Sequence, residues 1–243
     1  NFNRIPSPRK IEKISTNYYA VSSFSSDSLY FLNLGSSTFN VSSIYLGKSS
    51  ENLIFHDDFL YVINWSQFGG NWNNNSVMKI NPHTKKLEKT LLLSKEPNSI
   101  QIDKNSNLWV LCSGGYMSEE YPALHKINLS SFEIEKTFQF NSKSESPFCL
   151  SIDTKGENLY FINNHIYKMP TNSVNLPTSP LIQSNTENYY YLTSEIIEDH
   201  VIISNAKNYQ VSGEVIIYKN GIGITNRFEA GINPGFFTKN DQK

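Results

Sequence analysis

The chain of 243 residues carries a formal net charge of −1, from 21 Lys and Arg against 22 Asp and Glu. Its basic residues are scattered singly, so it lacks the basic stripe with which proteins neutralise a run of phosphates, and this argues against a nucleic-acid partner. Alanine, the best helix former, occurs at only four positions, whereas Phe and Tyr number 15 and 14. We therefore expect strands and turns rather than helices.

Two further absences in the sequence bear on its class. No stretch approaches the roughly 18 to 20 consecutive apolar residues that cross a bilayer, and no charged-then-apolar leader opens the chain. We expect a soluble or mature form without a transmembrane segment. The two cysteines, Cys112 and Cys149, are predicted to lie in strands of neighbouring repeats as small buried apolar groups, and the sequence leaves open whether they are paired.

An internal repeat organises the chain. The segment Lys79–Leu91 recurs as Lys126–Phe138, 47 residues later. A second pattern, a Pro followed by an alternating strand and an Asp turn, runs over Pro97–Asp103 and again over Pro147–Asp153, 50 residues later. A period of about 40 to 50 residues carrying four short strands is typical of a β-propeller blade, which buries its faces only by stacking on its neighbours.

The predicted elements follow this period along the chain. The apolar strands suited to the blade interior are Leu29–Leu32, Leu60–Ile63, Leu108–Leu111, Leu159–Ile162 and Val201–Ile203. One blade is predicted in full as Asn98–Asp103, Leu108–Ser113, Ala123–Asn128 and Glu133–Phe140. Similar modules begin near Tyr18, Asn52, Phe148 and Tyr189, and Gly231–Phe237 has the pattern of an opening strand of a further one.

These elements predict an all-β propeller of four-stranded blades that forms a single domain over residues 1–243. Five blades are recognisable, and the total is expected to lie between five and seven. Because an open stack would leave two unpaired sheet edges, we expect strands from both chain ends to close the ring. The candidates are Ile11–Ser15 and Gly235–Thr238.

Three long loops between second and third strands carry the strongest functional signal, since binding sites of propellers are usually grafted on that face. They span 65–75, 114–122 and 206–213, and their large flat side chains alternate with Asn, Gln and Gly, a combination that suits a sugar, a macrocycle or a peptide. The predicted ligand-binding residues, here called the aromatic rim, are Trp65, Phe68, Trp72, Tyr116, Tyr121 and Tyr209. The structural alternative is that Trp65 and Tyr121 pack the loop bases, with Asn73–Asn75 as a flexible tip.

No residue is predicted to be catalytic, and neither a cofactor nor a metal is expected. The aspartates that recur at one turn position of successive blades are assigned to turn capping rather than to catalysis: Asp57, Asp58, Asp103, Asp153 and Asp199. The histidines lack metal-ligand spacing: His56, His83, His125, His165 and His200.

Motifs along most of the chain resemble a known family. Asn107–Gly115 and Ala123–Asn128 resemble YncE-like secreted β-propellers, and Asn205–Tyr209, Gly213–Tyr218 and Phe228–Phe236 are similar to the ending of bacterial surface lipoproteins that include the cobalamin-binding BtuG. The resemblance implies a lipid-anchored protein on the outer-membrane surface, or a periplasmic one, that hands a scarce nutrient to a TonB-dependent transporter. The family usually has seven blades, and this chain departs from it with five.

The leading hypothesis is thus an exported, monomeric, non-enzymatic propeller that captures a corrinoid or glycan-like nutrient through the aromatic rim. A protein–protein interaction platform without a small-molecule ligand stays open as an alternative. A propeller lyase, hydrolase or quinoprotein is a third reading, but the sequence shows no convergent set of acids or cofactor ligands for it.

Overall fold

The computed structural model describes residues 5–35, 40–65, 74–185, 187–193, 195–221 and 223–237. In these residues the regular structure consists of 20 strands and contains no α-helix, so the all-β prediction is confirmed. The strands are β1 Pro8–Ser15, β2 Tyr18–Ser23, β3 Ser28–Asn33, β4 Asn40–Tyr45, β5 Leu53–His56, β6 Phe59–Asn64, β7 Ser76–Asn81, β8 Lys86–Leu92, β9 Pro97–Ile102, β10 Asn107–Cys112, β11 Ala123–Asn128, β12 Glu133–Gln139, β13 Phe148–Asp153, β14 Asn158–Asn163, β15 His165–Pro170, β16 Tyr189–Leu192, β17 Glu195–Ile196, β18 His200–Asn205, β19 Glu214–Lys219 and β20 Gly223–Glu229.

The strands form five four-stranded sheets, which agrees with the predicted blade as the building unit. Their orders are β1-β2-β3-β4, β5-β6-β7-β8, β9-β10-β11-β12, β15-β14-β13-β17 and β16-β18-β19-β20. Nearly all pairs are antiparallel, and the parallel pair is the short one in which Ile152 and Asp153 of β13 face Glu195 and Ile196 of β17. Sheet order follows chain order in the first three sheets, as expected for hairpin-connected blades.

The fourth sheet departs from the predicted pattern. Its first three strands follow the repeat, but residues 171–183 contribute only the isolated bridge between Ile182 and Ile166 instead of an outer strand. The fourth member of the sheet is β17, which comes from the segment after β16 and pairs at the opposite edge. Pro177 and Pro180 lie in the segment where the outer strand was expected. Proline has no backbone N–H and cannot donate a hydrogen bond to a neighbouring strand.

The predicted interior strands lie in sheets as expected, with one shift. Four of them fall within β6, β10, β14 and β18, the second strands of their sheets. Leu29–Leu32 instead lies in β3, a third strand, so the first module begins at β1 and not near Tyr18. The reason is that β1 alternates exposed and half-buried positions, which hides it from a search for apolar strands.

The predicted closure of the ring is not confirmed. Residues 11–15 do lie in a strand, but all four strands of the first sheet come from residues 8–45. Gly235, Phe236 and Phe237 form no strand, and Thr238 lies outside the described residues. A closed ring and the final blade number stay predictions.

Contacts divide the chain into two compact units, the first comprising Asn1–Ile100 with Val110–Glu145 and the second Gln101–Trp109 with Ser146–Lys243. A buried cluster of the first unit is built from the middle strands of its sheets, with Leu29, Phe31, Leu60 and Val62 fully or almost fully buried. The second unit has its own cluster, which includes Tyr160, Ile162, Ile166, Ile203 and Ile216. The single-domain assignment stays a prediction.

The cysteines lie in strands of neighbouring repeats, as predicted, and both are free. Cys112 of β10 is completely buried, and burial raises the pKa of its thiol well above the ordinary value. Burial also raises the pKa of Cys149 in β13 to about 11. Within the described ranges, no helix has the length and apolar character needed to span a membrane.

Candidate functional site

Part of the aromatic rim lies on residues that the structure describes. Tyr116 and Tyr121 belong to the loop 113–122 that joins β10 to β11, and Trp65 directly follows β6. These three belong to the first unit, whereas Tyr209 belongs to the second. Phe68 and Trp72 lie in 66–73, outside the described residues.

Two glycines set the path of the loop 113–122. Gly114 and Gly115 have φ angles of 84° and 101°, a region that side chains with a Cβ rarely adopt. A Cβ on Gly114 would lie 2.5 Å from the carbonyl oxygen of Glu120. The Gly114 N–H donates to the Lys95 carbonyl at 3.1 Å, and the Glu120 N–H donates to the Gly114 carbonyl at 2.8 Å. The chain can therefore close tightly on itself only with glycine at this point.

Two carboxylates fix the conformation of the same loop. Glu119 Oε2 accepts the Met117 N–H at 3.0 Å, and Glu120 Oε2 accepts the Lys95 N–H at 3.0 Å. The ammonium group of Lys143 donates to the Glu119 carbonyl at 2.9 Å. Glu119 therefore fixes the loop from within, and Glu120 joins it to Lys95 in the connection between β8 and β9. No pattern in the sequence distinguishes these two acids from ordinary surface charges.

The side chains that this fixed loop presents are large and exposed. Tyr116 is 70% exposed, Met117 71% and Tyr121 42%. The Lys143 ammonium lies 5.6 Å from the centre of the Tyr121 ring, within cation–π range. The structural alternative for Tyr121, that it packs the loop base, therefore applies only in part. A rigid loop with exposed aromatic faces is an arrangement that binds partners at low entropic cost.

Trp65 has a different environment. Its half-buried ring lies 5.5 Å from the Phe24 ring, centre to centre, and its carbonyl accepts hydrogen bonds from Ser49 Oγ, at 2.7 Å, and from the Asn74 amide. Its indole Nε1 is buried and has no hydrogen-bond partner within the described ranges. Trp65 thus packs the base of its loop, as the structural alternative expected, while keeping one donor unused.

A buried polar network that the sequence did not reveal lies beside Trp65. The Asn64 amide donates to the Ser49 carbonyl at 2.9 Å, and Ser76 Oγ donates to Asn64 Oδ1 at 2.9 Å. Lys48 Nζ donates to Ser76 Oγ at 3.2 Å, and burial lowers the pKa of Lys48. These groups satisfy one another, so the network fixes the ends of β6 and β7.

Tyr209 forms a separate patch in the second unit. It is 48% exposed, adopts a φ of 64°, and its ring lies 5.8 Å from that of Tyr190 in an edge-to-face arrangement. Asn208 Oδ1 accepts the N–H groups of Gln210 and Val211, both at 3.1 Å, so this loop is also internally fastened. The Asn208 side chain thus stabilises the turn in which Tyr209 adopts a left-handed backbone conformation.

The recurrent aspartates occupy the turns as predicted. Asp103 Oδ1 accepts the N–H groups of Asn105 and Asn107 at 2.9 and 3.0 Å, and Asp153 Oδ1 accepts that of Glu157 at 2.7 Å. Asp57 and Asp58 have φ angles of 46° and 65°, and Asp199 one of 60°, as in two-residue hairpin turns. In the part of the chain that the structure covers, no three His, Cys, Asp or Glu side chains are grouped closely enough to hold a metal.

Comparison with known proteins supports the fold and goes no further. No family model matches the chain, and no curated protein matches its sequence. Among solved structures, it is similar to the Kuenenia stuttgartiensis hydrazine synthase, with a TM-score of 0.68 and 18% identity over 94% of this chain and 67% of that one. It is also similar to a chain of a mitotic checkpoint complex, with a TM-score of 0.64 and 12% identity over 92% of this chain and 64% of that one. The chain thus spans about two thirds of these structures, which share its propeller-like, all-β architecture.

Proposed function

We propose that this chain is an exported binding module, not an enzyme, and that it captures a large nutrient through its long loops. One observation carries the proposal. Tyr116, Met117 and Tyr121 are exposed on a loop whose backbone is held by glycine geometry and by the hydrogen bonds that Glu119 and Glu120 accept from the Met117 and Lys95 N–H groups. Exposing apolar surface on a fixed loop has a solvation cost that a bound partner removes.

The chemistry of the loop indicates the class of ligand. Tyrosine offers a flat face and a hydroxyl with few rotatable bonds, which suits ligands with both apolar faces and polar edges. Corrinoids and glycans have this character. The sequence resemblance extends the proposal to a protein on the outer-membrane surface, lipid-anchored, or in the periplasm, acting as a monomer that passes its cargo to a TonB-dependent transporter.

Calorimetric titration of the chain with cyanocobalamin and with a linear maltooligosaccharide tests the proposal. We expect one of these probes to bind, and Tyr116→Ala and Tyr121→Ala each to weaken binding by about tenfold, the loss typical of an aromatic contact. Tyr45→Ala is the matched control, because Tyr45 is 78% exposed at the end of β4. Binding of neither probe, or equal affinities of all variants, would overturn the proposed site.

A protein partner is the second candidate, and exposed Met117 beside Tyr116 favours it. Methionine and tyrosine are enriched in protein interfaces, and both side chains are about 70% exposed here. If the transporter-containing membrane fraction retains the wild-type chain but not Tyr116→Ala, while no probe shifts the melting temperature, the loop is a docking platform and not a nutrient site.

A further inference from the structure

A small cavity lies in the second unit, away from the long loops. Its volume is about 140 Å³, and its lining residues are Tyr160, Lys168, Leu181, Asp199, Val201, Asn220 and Gly221. Asp199 belongs to the turn before β18, and Asn220 and Gly221 to the turn between β19 and β20. These turns lie at the opposite ends of β18 and β19 from the loop 206–213, so this cavity is distinct from the Tyr209 patch.

The cavity carries two opposite charges that do not neutralise each other directly. Among the ion pairs of the described residues, none joins Lys168 to Asp199. The Lys168 ammonium lies 5.4 Å from the centre of the Tyr160 ring, and its charge contributes to lowering the pKa of the Asp153 carboxyl. Lys168 is half-buried, whereas Asp199 and Asn220 are exposed. The cavity lining thus combines a half-buried cation with an exposed carboxylate and an exposed amide.

The remaining walls are apolar and tightly built. Tyr160 and Val201 are each 1% exposed, and Leu181 is half-buried. Gly221 has a φ of 69°, and a Cβ there would lie 2.4 Å from Leu181 Cδ1. The glycine therefore lets Leu181 close one side of the cavity, which leaves a small apolar compartment beside the two charges.

We propose that this cavity binds a small zwitterion of the α-amino acid class. The ligand carboxylate pairs with Lys168 Nζ, its ammonium group with the Asp199 carboxylate and the Asn220 amide oxygen, and its side chain contacts Val201 and Leu181. Charge-assisted hydrogen bonds of this kind are the strong ones in partly buried sites. The size agrees, because a cavity of about 150 Å³ holds benzene, which has as many non-hydrogen atoms as alanine.

Calorimetric titration of the intact chain with L-alanine tests the inference. We expect saturable binding in the millimolar range, as suits so small a ligand. N-acetyl-L-alanine lacks the ammonium group and L-alaninamide lacks the carboxylate, so each should bind about tenfold more weakly. Glycerol, a neutral polyol with as many non-hydrogen atoms as alanine, should not bind. Absence of L-alanine binding, or glycerol binding in its place, would overturn the assignment.

Two neighbouring carboxylates provide a matched pair of variants. Glu198 and Asp199 are both exposed in one turn, with φ angles of 49° and 60°, but only Asp199 lines the cavity. Asp199→Asn keeps the shape and tolerates the left-handed backbone, so it should fold and lose L-alanine affinity by about tenfold. Glu198→Gln removes the same charge and should bind like the wild type. Equal affinities of both variants would show that the carboxylate plays no part, and would refute the proposed geometry.

Discussion

Asp103 fastens the turn between β9 and β10 and also anchors a buried aromatic ring of β10. Its Oδ1 accepts the N–H groups of Asn105 and Asn107, and its Oδ2 accepts the indole N–H of Trp109 at 2.9 Å. Asp103 is 4% exposed and Trp109 is completely buried. Replacing Asp103 by Ala therefore leaves a buried indole N–H and two turn amides without their acceptor.

The loss of stability in Asp103→Ala follows from the hydrogen-bond donors that lose their acceptor. A hydrogen bond to a charged group contributes about 1.5 to 3 kcal/mol, and a buried donor left without a partner costs about 1 to 3 kcal/mol. Since the bonds share one carboxylate they are not additive, and we expect a total loss of about 4 kcal/mol in the free energy of unfolding. Asp153 holds the equivalent turn through Glu157 and Asn158 but anchors no indole, so Asp153→Ala should cost about 2 kcal/mol.

Urea denaturation of Asp103→Ala, Asp153→Ala, Trp109→Phe and the Asp103→Ala/Trp109→Phe double variant measures both quantities. The double-mutant cycle should give a coupling free energy of about 1 to 2 kcal/mol between Asp103 and Trp109. The reason is that phenylalanine has no ring N–H that would lose its acceptor when Asp103 is replaced. If Asp103→Ala costs no more than Asp153→Ala, or if its cost is the same with Phe at position 109, the anchoring argument is refuted.

Three further predictions concern His125, Gly156 and Cys112. Burial lowers the pKa of His125 from 6.5 to about 4. Between these two pH values His125 is therefore protonated in the unfolded chain but neutral in the folded chain, which favours unfolding as the pH falls. The free energy of unfolding should therefore drop by about 2 kcal/mol more between pH 7 and pH 5 in the wild type than in His125→Gln, measured by urea titration. Gly156→Ala should cost about 2 kcal/mol, since its φ is 66° and its Cβ would lie 2.6 Å from the Lys104 nitrogen, whereas Gly231→Ala, with open space around it, should be neutral within about 0.5 kcal/mol. Cys112, fully buried and with a raised pKa, should react with a thiol reagent only after unfolding, and fast labelling of the native chain would contradict its placement.

The repeat explains how much of the fold could be predicted. Strands β9 to β12 begin and end within one residue of the predicted bounds, because Asn, Ser and Asp turns bracket runs of apolar residues there. The strand β1 was placed less well, since its alternating exposure gives no apolar run. The two-residue strand β17 has no local signature at all, because its pairing with β13 depends on tertiary placement.

The loops that hold the proposed site could be located from the sequence, but the contacts of their side chains could not, and ligand binding by the aromatic rim stays a prediction. Loop length and aromatic content indicate the segment that holds Tyr116 and Tyr121. They do not indicate that Trp65 packs on Phe24, which lies in the connection between β2 and β3 and is distant in sequence. Likewise, the charged cavity combines Lys168 of β15 with Asp199 of the turn before β18. No spacing rule links such residues, because their proximity arises from the stacking of strands and not from a motif.

Hydroxyl-radical footprinting of the tyrosines, read by mass spectrometry, tests most directly the claim that the loop 113–122 is the contact surface. In the free chain, Tyr45 and Tyr116 should be oxidised fastest and the buried Tyr61 hardly at all, in the order of their exposure. With a saturating bound partner, the account predicts protection of Tyr116 and Tyr121 while Tyr45 reacts as before. Unchanged oxidation of Tyr116 and Tyr121 in the presence of a demonstrably bound partner would contradict it.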